Sequence, residues 1–179
     1  QQEFSRITSE QQALSLVSVF PVLTALLYRL QQGLPPIDAR EDLNHTANYL
    51  WMLKGTEPTA AQIEALETYL KLTMEHGMNA STFAARVTVS TESDMVSAIT
   101  SAIGTMKGPL HGGAPSGVID LLEEIQSPER IEPVIAHKLD EGEKIMGFGH
   151  RIYRTEDPRS ILLRETCLAL AGEEPWLDL

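Results

Sequence analysis

The strongest constraint on what this chain can fold into is the period of its apolar residues. No segment sustains the two-residue alternation of a half-buried strand, and almost every segment carries helical spacing. There are no internal repeats and no low-complexity stretches. The pattern predicts an all-α fold.

The helices can be set out from their start and stop signals. Ala13 to Leu30 predicts a helix with no charge before Arg29, which Pro21 should kink or split. It is near the short limit for a membrane span and is interrupted by Ser15, Ser18, Pro21 and Thr24, so burial in a core or an interface is expected. Leu43 to Leu53 is a short helix closed by Gly55. Thr59-Ala60-Ala61-Gln62 forms a capping box for a helix to about Glu75, with Ile63, Leu66, Leu70 and Leu72 facing a core. Asn79 caps a helix through Val89. Thr91 to Asp94 is another capping-box pattern, for a helix to about Met106 whose Ala98, Ser101, Ala102 and Thr105 would let a neighbour approach closely. Pro115 to Ile125 should bury Val118, Leu121, Leu122 and Ile125. The next helix is expected to begin near Pro133, because a start at Ser127 would put that proline inside it. Ile145 to Tyr153 reads as loop or short extended chain, and Pro158 opens a last helix ended by Gly172.

Composition narrows the function classes. The 179 residues, 42% apolar and 22% charged, suffice for a domain with a core. A net charge of -11 argues against a general nucleic-acid or anionic-membrane binder, while leaving room for a local basic pocket for a phosphorylated ligand. Cys167 is the single cysteine, so no internal disulfide forms, and no secretory pattern is visible; a reducing, cytoplasmic setting is expected.

The stretch with chemical potential is Lys107-Gly108-Pro109-Leu110-His111-Gly112-Gly113-Ala114-Pro115. Gly108 and Pro109 stop one helix; Gly112, Gly113 and Pro115 open the next. His111 then sits at a helix mouth, where free N–H groups and the positive dipole end gather. That field disfavours the imidazolium, and a neutral ring can donate to a developing oxyanion. A glycine-rich connection with an incidental histidine would have the same local sequence. Two other stretches carry a histidine beside a glycine at a helix end: Glu75-His76-Gly77-Met78-Asn79-Ala80-Ser81 and Lys144-Ile145-Met146-Gly147-Phe148-Gly149-His150-Arg151, the latter running on to Asp157-Pro158-Arg159.

Together, in this order and spacing, the three stretches resemble the citrate synthase family from about Leu23 to the C-terminus. The resemblance implies a multi-helical fold, with residues 1–75 part of a large helical domain and 76–179 mainly a small domain. It implies an acyltransferase that converts the acyl group to alkyl on transfer, condensing acetyl-CoA with oxaloacetate and hydrolysing the resulting thioester. His111 matches the histidine that donates to the thioester oxygen, and His150 the one that polarises the oxaloacetate carbonyl. His76 matches a third oxaloacetate contact, and Arg159 an arginine that takes one of its carboxylates. Leu110 with Ile145, Met146, Gly147, Phe148 and Gly149 matches the coenzyme A cradle. Arg154 is the best match for a phosphate ligand, ahead of Lys107, Lys144 and Arg151. The resemblance further implies a homodimer, no cofactor beyond the coenzyme A thioester that serves as substrate, and no metal, nucleic-acid or membrane partner.

The departures are specific. Family members extend further at both ends, and their general base, an aspartate, lies beyond the position matching Leu179; Asp157 and Asp178 do not match it. Pro115-Ser116 stands where many members have Asn-Glu. This polypeptide alone is therefore expected to turn over little substrate and to self-associate through uncovered apolar faces. The motifs do not separate citrate synthase from 2-methylcitrate synthase, which uses propionyl-CoA, nor from a non-catalytic relative that binds metabolites. A zinc site built from His76, His111 and His150 is opposed by the lack of any paired helical spacing.

Overall fold

A computed structural model of the chain describes residues 6–75, 77–149 and 153–170. Among them there are eight α-helices and no strand, as the apolar period requires. The helices are α1 (Ser9–Gln31), α2 (His45–Lys54), α3 (Ala60–Met74), α4 (Ala80–Val89), α5 (Met95–Met106), α6 (Ala114–Ile125), α7 (Ile131–Asp140) and α8 (Pro158–Leu170). They fall into two compact units. In the described chain one unit comprises 6–75 with 162–170, and the other 77–149 with 153–161.

In the first unit α2 packs on α1 and α3. Its core is small: Ala25 from α1, with Ala47, Leu50 and Met52 from α2. Arg29 is buried among them, and Nε donates to Pro35 O (2.6 Å) while Nη1 donates to Leu53 O (3.1 Å), tying the chain after α1 to the end of α2. Thr8 and Thr59 each form a complete capping box, with Gln11 and Gln62. Gly55 takes φ +78° at the end of α2, where its missing Cβ would stand 2.9 Å from Ile37 Cδ1. Of the two outcomes expected at Pro21, a kink or a split, the split does not occur: α1 runs through it as one 23-residue helix that forgoes a single backbone bond. Nor does α1 find the core half of its expected burial within this chain: only Ala25 and Arg29 are buried, while Leu14, Val17, Leu23 and Leu27 lie exposed. Its length and composition would suffice to cross a membrane, a test that core helices and signal sequences also pass. Similarly α3 has no fully buried residue, and Leu70 is exposed.

In the second unit α4 and α5 make the most extensive helix pair. Ala98, 5% exposed, lies in that small-residue stripe. The start of α5 is Asp94, not Thr91. Glu92 adopts a left-handed φ of 61°, so no helix can pass through it, and Asp94 Oδ1 accepts the Ser97 N–H at 2.9 Å. The Thr91 hydroxyl instead donates back to Thr88 O and finishes α4. Helix α6 buries Leu121 and Ile125, two of the four expected, with Val118 and Leu122 half-buried. Helix α7 begins at Ile131, after a 3-10 turn over Pro128–Arg130, so Pro133 does lie inside it. It is the third helical residue, where the backbone N–H has no intrahelical partner, and its absence costs nothing.

Candidate functional site

Residues 107–113 connect α5 to α6 in a turn that only glycine permits. His111 N donates to Gly108 O (3.0 Å), Gly112 N to Met106 O (2.9 Å) and Gly113 N to Gly108 O (3.3 Å). A Cβ on Gly112 would stand 2.5 Å from Met106 Cγ and 2.6 Å from Met106 O; one on Gly113 would stand 2.9 Å from Pro109 Cα. The backbone thus closes on itself where a side chain would be. Helix α6 opens with Gly113 as its cap, with no side-chain acceptor and with Pro115 in its first turn. His111 is half-buried three residues before the helix starts, in agreement with the local reading of the sequence.

The ring is fixed from another helix mouth. Asn79 caps α4, its Oδ1 accepting the Thr82 N–H at 2.9 Å. Ser81, 4% exposed, donates its hydroxyl to the same Oδ1 at 2.8 Å. The Ser81 Oγ in turn lies 2.8 Å from His111 Nε2. The sequence shows Asn79 as a cap but gives no sign of Ser81. An isolated serine in a first helical turn is ordinarily solvated, and its burial here is a product of tertiary packing, with α4 against α5 and the His111 ring over its hydroxyl.

The loop from 145 to 149 lies along α6. A Cβ on Gly117 would stand 2.8 Å from Met146 Cγ, so the Met146 side chain occupies the groove that this glycine leaves in the helix. Gly147, at φ +90°, would bring a Cβ to 3.1 Å from Val118 Cγ2. Gly117 is a second residue that sequence reasoning missed; a glycine inside an apolar helical run was the available signal. Lys138 on α7 holds the root of the loop, reaching Glu124 of α6 at 2.8 Å and Glu143 at 3.1 Å. Those carboxylates, Glu124 first, raise its pKa. Of the cradle candidates, Ile145 and Met146 are half-buried and Gly147 and Gly149 exposed. Leu110 and Phe148 are 88% and 78% exposed, so their apolar surfaces are open to a ligand.

Arg159 stands in the first turn of α8. Its Nε donates to both oxygens of Asp157 (3.1 and 3.2 Å) and Nη2 donates to Oδ2 (2.6 Å), while Asp157 Oδ1 also accepts the Arg159 N–H. The guanidinium fork assigned to a substrate carboxylate is here closed on the carboxylate two residues before it. Arg154, Lys107 and Lys144 are exposed. His76, His150 and Arg151 lie outside the described residues. The described residues include no group of three His, Cys, Asp or Glu able to hold a metal ion.

Comparison with known proteins gives a consistent result. The family model for the C-terminal domain of citrate synthase matches residues 1–179. The chain is 46% identical over 170 residues to citrate synthase 2 of Bacillus subtilis, covering 93% of this chain and 46% of that protein. It is 42% identical over 170 residues to the 2-methylcitrate synthase of Mycobacterium tuberculosis, covering 93% and 43%. Among solved structures it resembles the ternary complex of the Thermoplasma acidophilum citrate synthase with carboxymethyl coenzyme A and oxaloacetate. The TM-score is 0.83 at 35% identity, over 89% of this chain and 42% of that one. The chain spans about half the length of the curated relatives it matches.

Proposed function

This chain belongs to the citrate synthase family, and on that premise we propose that it contributes the thioester-activating and oxaloacetate-polarising residues of an enzyme that condenses acetyl-CoA with oxaloacetate. The observation that carries the reading is the half-buried His111 at the mouth of α6, its ring fixed 2.8 Å from the buried Ser81.

The chemistry explains why a fixed imidazole is useful. A thioester methyl group is a weak carbon acid, so its deprotonation develops charge on the thioester oxygen. A pre-oriented ring N–H aimed at that oxygen lowers the barrier. The enolate carbon then bonds to the oxaloacetate carbonyl carbon, which His150 polarises, and the alkoxide takes a proton. Water cleaves the thioester, releasing citrate and coenzyme A. His76 and Arg159 hold the oxo acid, with Arg159 turning its fork from Asp157 to the substrate carboxylate. Leu110 and residues 145–149 receive the coenzyme, with Arg154 at a phosphate; the coenzyme arrives as substrate, and no other cofactor is required. No residue of this chain is assigned as the general base. The enzyme is proposed to act as a cytoplasmic homodimer.

The test is oxaloacetate-dependent release of thiol from acetyl-CoA by the polypeptide the gene encodes, beside the 179-residue chain alone. We expect turnover in the first and little in the second, with His111→Ala lowering kcat about 100- to 1000-fold, the weight of one oxyanion donor. Absence of oxaloacetate-dependent release from the first would overturn the reading. The identity to a 2-methylcitrate synthase favours one second reading. A higher kcat/KM for propionyl-CoA than for acetyl-CoA in the same assay would establish it.

A further inference from the structure

We infer that Met146 is a positioning residue: its side chain is committed to the Gly117 notch of α6 and not to the coenzyme, and it holds the 145–149 loop in one register along the helix that His111 heads. The three atoms nearest to the missing Cβ of Gly117 all belong to Met146: Cγ at 2.8 Å, Cβ at 3.3 Å and Cε at 3.4 Å. The side chain lies against the helix from its root to its tip, as an unbranched thioether can when it fills an irregular gap. Gly117 is the one glycine of α6. A slip of one helical turn, about 5.4 Å, toward the end of the helix would drive Met146 onto Leu121, which is 8% exposed and already packed.

The backbone delivers the side chain. Phe148 N donates to Ile145 O (3.4 Å), closing a turn with Met146 and Gly147 at its tip. Gly147, third in that turn, has φ +90°, where glycine is preferred, and the Cβ it lacks would meet Val118 Cγ2 at 3.1 Å. The tip is thus spent on α6, while Phe148 beside it is 78% exposed and Leu110 88%. Upstream, Glu143 N donates to Lys138 O (2.8 Å), and only Lys144 and Ile145 separate that anchor from Met146. A loop pinned at two points loses little freedom when a ligand arrives. The catalytic consequence rests on the function proposed above. Helix α6 carries the oxyanion donor at its head and the anchor of the coenzyme cradle at its fourth residue, so one rigid element sets the distance between them.

The test uses the polypeptide the gene encodes. Coenzyme A is titrated calorimetrically with oxaloacetate present, a mixture that cannot condense because it carries no acyl group, and the KM for acetyl-CoA is measured beside it. Met146→Ala empties the notch. It should raise the coenzyme A Kd and the acetyl-CoA KM about tenfold, the weight of ordering roughly one residue's backbone on binding, with a much smaller change in kcat and in the oxaloacetate KM. Gly117→Leu favours the helix itself but should expel Met146 and weaken coenzyme A binding in the same way. Combining Gly117→Leu with Met146→Ala exchanges knob and hole and should recover most of the loss; circular dichroism checks that every variant keeps its helices. If Met146 touched the coenzyme instead, the combined variant would bind no better than Met146→Ala, and that result overturns the inference. So does an unchanged Kd in folded Met146→Ala. A wild type that binds coenzyme A but releases no thiol refutes the enzymatic reading alone, and the exchange then decides the inference by calorimetry. A wild type that does not bind coenzyme A overturns both.

Discussion

Two helix mouths meet at His111, and they are built on opposite principles. The mouth of α4 is closed by a side chain: Asn79 takes the Thr82 N–H, and Ser81 lies buried behind it. The mouth of α6 has no side-chain cap and is approached by a glycine turn whose own backbone bonds hold it shut. The first is local chemistry, in which one residue type at one position suffices. The second is close packing, in which the absence of two Cβ atoms lets the chain fold over Met106 and Pro109. The ring belongs by sequence to the open mouth and by hydrogen bonding to the closed one. The hydrogen bond to Ser81 fixes the ring's orientation from the closed mouth.

The largest effect should come from breaking the open mouth. Gly112→Ala puts a methyl group 2.6 Å from a backbone oxygen that cannot move independently of α5. It should destabilise the second unit by about 1–3 kcal/mol, as overpacking does, read from urea unfolding. Ser81→Ala tests the link between the mouths. It should cost about 1 kcal/mol, the weight of one hydrogen bond, and leave His111 Nε2 to be solvated. A greater loss from Ser81→Ala than from Gly112→Ala would reverse the ranking and sink the comparison.

Next in size is a third mouth, capped by charge. The Ser97 backbone N–H first, and then its hydroxyl, hold the Asp94 carboxyl below its ordinary pKa. A lowered folded value means that Asp94 stabilises the fold above the unfolded carboxylate pKa, and that this contribution is lost as pH falls through the folded value. Asp94→Asn keeps a capping oxygen but does not titrate, so the drop in Tm on acidification should be shallower than in wild type. Parallel pH profiles would remove Asp94 from the acid response. The smallest effect is expected from Lys138→Met. The Lys138 side chain is 19% exposed, but the carboxylates of Glu124 and Glu143 are 43% and 56% exposed, and pairs with so solvated a partner contribute little. Tm should barely move at high salt, with a slight loss at low salt; a loss independent of salt would mean that Lys138 packs rather than pairs.

How legible each feature was depended on how local its cause is. Thr59 and Asn79 announce their helices because a cap needs only a side chain and an N–H three residues on. The same logic misled at Thr91, where two candidate caps lie three residues apart and the backbone of Glu92 decides between them. It misled at Pro133 because a proline is harmless in a first turn, and the 3-10 turn that moves the start forward has no sequence signature of its own. The exposure of α1 was not readable either, since apolarity states what a surface avoids and not what covers it.

The site divides along the same line. Sequence alone determined that the chain is helical, that His111 stands at the head of a helix, and that glycines crowd around it. Each of these follows from periodicity, chain sterics and residues within one turn of each other. Tertiary structure alone decided that Ser81 is buried within reach of Nε2, that Met146 fills the notch at Gly117, and that Arg159 closes on Asp157. The first two join residues about thirty positions apart, and only the packing of helices brings such residues together. The third is near in sequence, but it depends on which rotamer the surroundings of the long arginine side chain select.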